Sequence, residues 1–264
     1  MREIDGEYRA RGRGLTRLPK FTGEWGKLRV FDAGENLLSA LPAGLASAPA
    51  LEELYADNNR LTELPPVGGS PLLRVLDLSG NPLPRLPEGL GELRHLRYLY
   101  AADLRLPRLP DDIGELGALV YLNAGGNPLP ALPDQIGSLR ALRELRVMHA
   151  ALTALPESIA GFARLRELHL DGNRLTALPE GIGELAELRV LDLRRNALTA
   201  LPPALRRLES LRQLDLRANG LRELPAWLAD LPGLERLDLR WNPALHPEDP
   251  LIGTLEKRGC VVHV

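Results

Sequence analysis

One leucine pattern, L-x-x-L-x-L-x-x-N-x-L-x-x-L-P, returns from Leu28 to Trp241 with its first leucine at Leu28, Leu51, Leu73, Leu96, Leu119, Leu142, Leu165, Leu188, Leu211 and Leu234. The step is 23 residues, except the 22 from Leu51 to Leu73. So regular a period excludes a globule with one irregular core. One coil cannot cover its own apolar side, so coils must stack and each stabilises the next.

Within a unit the segment L-x-x-L-x-L alternates, as in Leu188-Arg189-Val190-Leu191-Asp192-Leu193, so leucines turn inward and the residues between them outward. One short parallel strand per unit follows. The ninth position is asparagine at Asn36, Asn59, Asn81, Asn127, Asn173, Asn196, Asn219 and Asn242. An amide carries both a donor and two acceptor lone pairs, which suits it to the backbone groups that lose ladder partners where the strand ends. After L-x-x-L-P come segments such as Asp111-Asp112-Ile113-Gly114-Glu115-Leu116, which predict a short helical turn opened by proline. Leu104 and Ala150 replace the asparagine, and Pro65-Pro66-Val67-Gly68-Gly69-Ser70-Pro71 reads as loop in place of a helical turn.

The expected fold class is α/β: a leucine-rich repeat right-handed solenoid, or horseshoe, with a parallel concave sheet and short convex helical turns. Residues 1–27 are expected to form a degenerate repeat that caps the N-terminal end, with Phe21 and Trp25 at core positions. Residues 28–245 hold ten repeats and residues 246–264 a helix–strand cap, all in one structural domain. Counting 23 onward puts Cys260 and Val262 inward. A buried lone cysteine is a small core residue more often than a nucleophile.

Net charge −2 and a pI near 6.3 offer no bulk attraction to phosphate backbones or acidic lipids, so neither nucleic acid nor membrane is an expected partner. Met1-Arg2-Glu3-Ile4-Asp5 lacks the apolar run of a signal peptide, and one cysteine provides no disulfide cap. A cytoplasmic protein is therefore expected. Lys20, Lys27 and Lys257 are the only lysines among 33 basic residues, a bias that predicts a GC-rich, bacterial source.

The run Leu178-Pro179-Glu180-Gly181-Ile182-Gly183-Glu184-Leu185, continuing to Leu188, Leu191 and Leu193, resembles the Ras-group intracellular leucine-rich repeat proteins. That resemblance implies a signalling scaffold that binds proteins, small GTPases included. It transfers no partner-contacting residue, because the matching positions are structural.

Two patches on the outward strand positions are candidate protein- or peptide-binding sites. Tyr55, Tyr98, Tyr100 and Tyr121 share the strand face, with Met148, His149 and His169 extending it. Tyrosine joins apolar area to a polar tip and is enriched in binding hot spots. Further on, Asp192, Asp215 and Asp238 stack beside Arg194, Arg217 and Arg240, with Arg195 and Trp241 at the rim for an acidic partner. Glu144, His149, Glu167, His169 and Asp171 could be drawn as a metal or acid–base site, but an open surface does not exclude water. No enzyme, metal or cofactor is expected. The chain is expected to be a monomer. An exported effector acting in a host and a self-associating structural module stand as alternatives.

Overall fold

Each L-x-x-L-x-L segment forms a three-residue parallel strand, because three residues are all that separate the first inward leucine pair from the bend that follows. The computed structural model describes residues 6–21, 23–246 and 248–264; residues 1–5, where the apolar run of a leader was sought, lie outside the described residues. The chain divides into two units, Met1–Pro128 and Leu129–Val264.

The N-terminal unit holds β1 (Glu7–Arg9), β2 (Val30–Asp32), β3 (Glu53–Tyr55), β4 (Val75–Asp77), β5 (Tyr98–Tyr100) and β6 (Tyr121–Asn123). They pair in chain order and in register, so Leu76 lies beside Leu99 and Leu99 beside Leu122. The C-terminal unit repeats this with β7 (Glu144–Arg146), β8 (Glu167–His169), β9 (Val190–Asp192), β10 (Gln213–Asp215), β11 (Arg236–Asp238) and β12 (Val261–His263). These too are parallel neighbours in chain order. The leucine-rich repeat solenoid is thus present in both units.

The inward leucines form a column with almost no solvent contact, Leu54, Leu76, Leu99 and Leu122 in one unit and Leu145, Leu168, Leu191, Leu214 and Leu237 in the other. Burying each such side chain contributes roughly 1.5–3 kcal/mol. Behind the sheet, a 3-10 turn follows the proline in most coils, as at Asp111–Glu115, Asp134–Ser138 and Glu180–Glu184. The proline does not enter the turn. Pro110, Pro133 and Pro179 are extended residues just before it, and their carbonyls accept its first hydrogen bond from Ile113, Ile136 and Ile182 at 3.0–3.1 Å. Fixed φ suits that place, and the missing N–H is not needed there.

The asparagines form the expected ladder. Asn127 Nδ2 donates to Ala101 O of the preceding coil at 2.8 Å and to Ala124 O of its own at 3.0 Å, while its Oδ1 accepts from Leu106 N at 3.1 Å. Asn173 does the same toward Val147 O, Leu170 O and Leu152 N. Where Leu104 stands instead, its side chain is buried and the orphaned Leu83 N turns back to Asn81 O at 2.8 Å. The segment after β3 has no 3-10 turn, as its prolines and glycines indicated; Val67 and Ser70 fill the core there, and Ser70 Oγ donates to Ala48 O at 3.1 Å.

Both ends differ in detail from expectation. Before Leu15 the chain makes a full strand, β1, whose Tyr8 is buried and stacks on Phe31 with ring centroids 5.0 Å apart; Phe21 lies edge-on to Tyr8 and Trp25 against Phe21. After β11 comes helix α1 (Pro250–Lys257), capped by Asp249, whose side chain accepts from Leu251 N. The helix lengthens this last coil. Val262, not Cys260, therefore pairs with Leu237. Cys260 is buried all the same, and burial pushes its thiol up, away from the reactive thiolate.

Candidate functional site

Outward positions on paired strands become neighbours, so sequence columns turn into surface patches. In the N-terminal unit β5 and β6 bring Tyr98 opposite Tyr121, and the rings of Tyr100 and Tyr121 lie 4.9 Å apart at 40°. All three tyrosines are half-buried, and Arg97 lies 5.9 Å from the Tyr98 ring. Tyr55 does not join them. Asp77 of β4 stands between Tyr55 and Tyr100 in the register.

Tyr55 belongs to a polar cluster at the start of the solenoid. Its hydroxyl donates to Glu53 at 3.1 Å, and Arg11 lies 5.9 Å over its ring. Burial, reinforced by Glu53, pushes the phenol up to about 12. Arg11 also reaches Asp32, Glu35 and Asp57, each at 2.5–3.0 Å, and Asp57 and Asp32 raise its already high pKa. Neither Tyr8 nor Arg11 stood out in the sequence. Counting one period back from Phe31 and Gly34 lands on them, a signal hidden because no leucine accompanies it.

In the C-terminal unit the five residues drawn as a metal or acid–base set separate into two groups. Glu144, Glu167 and His169 keep their potential ligand atoms within 4.8 Å of one another, but His169 bonds Glu167 at 3.1 Å and Arg146 pairs with Glu144. His149 sits instead 3.5 Å from Asp171. Met148 is half-buried on the same coil as His149. The buried Asp171 also accepts from Arg195 Nε at 2.8 Å and has Arg194 3.4 Å away.

Burial alone would raise the Asp171 carboxyl, but the hydrogen bond from Arg195 and the charges of Arg194, Arg195 and His149 outweigh it and hold the pKa low. A carboxyl lowered in the folded state contributes stability that is complete above its unfolded pKa, about 3.9, and is lost as pH falls through the folded value. Asp171→Asn is therefore expected to be less stable at neutral pH and to lose less on acidification. Urea midpoints at neutral pH and below about pH 4 check this. Parallel losses in both proteins would remove Asp171 from the acid response.

Next to that group, Asp192, Asp215 and Asp238 line up on β9–β11 and the arginine two residues after each folds back on it. Arg217 holds Asp215 at 2.6–3.0 Å and reaches Asp238 at 3.4 Å; Arg240 holds Asp238 at 2.6–3.0 Å; Arg194 lies 3.3 Å from Asp192. The Asp238 carboxyl is raised by burial but lowered further by Arg240 and Arg217, whereas burial keeps Asp192 raised. This patch borders an open cavity of about 460 Å³ lined by Val190, Gln213, Arg236 and Val261 among others. Trp241, beyond Arg240, is 70% exposed at φ +61° with Arg240 5.7 Å from its ring. An L-residue in that left-handed region is strained by roughly 1–2 kcal/mol.

Residues 54–173 match the family described as leucine-rich repeat region, and residues 163–221 and 186–243 match leucine rich repeat. The chain carries leucine-rich repeats. Human leucine-rich repeat-containing protein 56 is 46% identical over 54 residues, 20% of this chain and 9% of that protein. A leucine-rich repeat protein of Leptospira interrogans superposes with a TM-score of 0.85 at 32% identity, over 90% of this chain and 61% of that one. The Arabidopsis receptor kinase HAESA, solved with the peptide hormone IDA and the co-receptor SERK1, gives 0.70 at 27% identity, over 80% of this chain and 37% of that one. This chain therefore spans less than two thirds of each of these relatives. Among the described residues no helix is long and apolar enough to cross a membrane.

Proposed function

We propose that this leucine-rich repeat chain is a non-catalytic scaffold that binds a protein or peptide on its strand face. The observation that carries this is the group Tyr98, Tyr100 and Tyr121, half-buried on paired strands and presented without a flexible loop. Tyrosines fixed in this way lose little conformational entropy on association, so more of their contact energy appears as affinity. The peptide held by the HAESA structure supports a peptide-sized ligand here as well. Against catalysis stands the engagement of the candidate acids and bases by neighbouring side chains on an open face, Glu144 by Arg146, Glu167 by His169 and Asp171 by Arg195.

The finer parts of the proposal are a Ras-group repeat type, a signalling role with a small GTPase as partner, a monomeric state and a cytoplasmic location. The 23-residue period and the single cysteine support them. Affinity capture from cells, followed by titration of the purified partner against the Tyr98→Ala, Tyr100→Ala, Tyr121→Ala triple variant, tests the central claim. We expect affinity to fall at least about tenfold with the unfolding midpoint little changed. Equal affinity would move the binding site away from these tyrosines.

A further inference from the structure

We propose that the strand face of Leu129–Val264 grips an acidic segment of a partner protein, with an apolar side chain of that segment resting on Trp241. The inference rests on the scaffold reading and names the chemistry of one partner surface. Its first support is the layering of charge. At two pairs the arginine covers its aspartate, Arg194 34% exposed over Asp192 at 11% and Arg240 42% exposed over Asp238 at 9%, while Arg217 and Asp215 are about equally exposed at 21% and 23%. At those two pairs an approaching molecule meets guanidinium before it meets carboxylate.

Those guanidiniums are also oriented. Arg217 and Arg240 each donate Nε and Nη2 to their own aspartate, and Nη1 has no hydrogen-bond partner among the described residues. A guanidinium fixed along one edge can give its other edge to a second carboxylate with little further loss of freedom. Arg236 breaks the charge balance. The three arginines after Asp192, Asp215 and Asp238 cancel those carboxylates, but Arg236 is exposed in the cavity and forms no ion pair among the described residues. The surplus is positive and lies between Gln213, a hydrogen-bond donor, and the exposed Val261.

Trp241 supplies the apolar part. The corresponding bend in other coils takes a left-handed residue too, glycine at Gly126 and Gly172 but Asp103, His149, Arg195 and Ala218 elsewhere, so what sets Trp241 apart is its side chain: an indole 70% exposed with Arg240 5.7 Å from its ring. A large apolar ring left in solvent beside a cation, where other coils carry small or polar residues, offers a contact surface. A polyphosphate chain fits this surface less well, because the buried aspartates would repel a dense row of anions. Carboxylates spaced by neutral residues meet the arginines singly.

The test uses the full chain and a fluorescein-labelled peptide that alternates glutamate with leucine and tryptophan, beside the same peptide with glutamine for glutamate. At low salt the glutamate peptide is expected to bind at least about tenfold more tightly, and Arg236→Gln or Trp241→Gly to weaken it several-fold. Trp241→Gly should keep or raise the unfolding midpoint, since glycine accepts the bend without strain, so lost binding there is not lost folding. The tyrosine triple variant should bind this peptide normally. Equal binding of the two peptides, tighter binding of single-stranded RNA, or self-association blocking the face in light scattering would each overturn the inference. If the tyrosine variant still loses its captured partner, the scaffold reading survives that failure; if it does not, the tyrosine site falls with it.

Discussion

Asn173→Ala is expected to lower the unfolding free energy by about 3 kcal/mol, because it leaves two buried backbone groups with nothing to bond. Asn173 Nδ2 serves Val147 O at 2.7 Å and Asn173 Oδ1 serves Leu152 N at 3.1 Å. Its third partner, Leu170 O, keeps a bond from Asn196 and is not stranded. Each unsatisfied buried group costs about 1–3 kcal/mol, more than the net worth of an ordinary hydrogen bond. Asn196 is the control. It makes the same set of bonds but is only half-buried, so water can replace the lost amide and Asn196→Ala should cost about 1 kcal/mol. Urea denaturation of the two variants compares them directly. Equal losses would mean that the ladder works through something other than buried polar satisfaction.

Gly137→Val should cost about as much, through close packing behind the sheet instead of hydrogen bonding. A Cβ on Gly137 would run into the Ser158 carbonyl oxygen of the next 3-10 turn, and one on Gly161 would run into the Gly137 carbonyl oxygen. Both obstacles are backbone, which cannot swing aside as a long side chain can. The turns at Asp134–Ser138 and Glu157–Gly161 would have to separate, and overpacking of this kind costs about 1–3 kcal/mol. Gly117 gives the contrast, for nothing lies within 4 Å of the Cβ it lacks. Gly117→Ala should be neutral or slightly stabilising through the unfolded chain. A thermal melt of each variant separates the two outcomes; an unperturbed Gly137→Val midpoint would show that the turns have slack.

The period made the strands, their parallel neighbours and the inward leucines legible, since a spacing of two within L-x-L and of 23 between coils leaves little choice of register. The asparagine ladder was legible for the same reason, down to its interruption at Leu104. What the spacing concealed was carried by residues that replace leucine. Tyr8 and Phe31 do in the first coils what leucines do later, so β1 went unread although it keeps the period. Helix α1 inserts residues before β12 and shifts the pairing from Cys260 to Val262. The glycine after Ile136 was visible as a motif, but its reason is a neighbour's carbonyl that only stacking brings near. On the candidate face, the columns placed Tyr98, Tyr100 and Tyr121 together and paired the aspartates with arginines. They put His149 near Asp171 but gave no hint that Arg194 and Arg195 share that carboxylate, because that sharing depends on a bend that carries side chains across coils.

The amide ladder also has a direction. Each asparagine reaches back to the coil before it, as Asn196 does to Leu170 O and Leu175 N, and none reaches forward. Shortening from the N-terminal side frees an amide that water can solvate, whereas shortening from the C-terminal side strands an N–H and a carbonyl in the interior. A repeat array of this kind gains or sheds coils more cheaply at its beginning than at its far end, where the last inward backbone groups depend on whatever packs next, as β12 does in parallel beside β11 with Val262 next to Leu237.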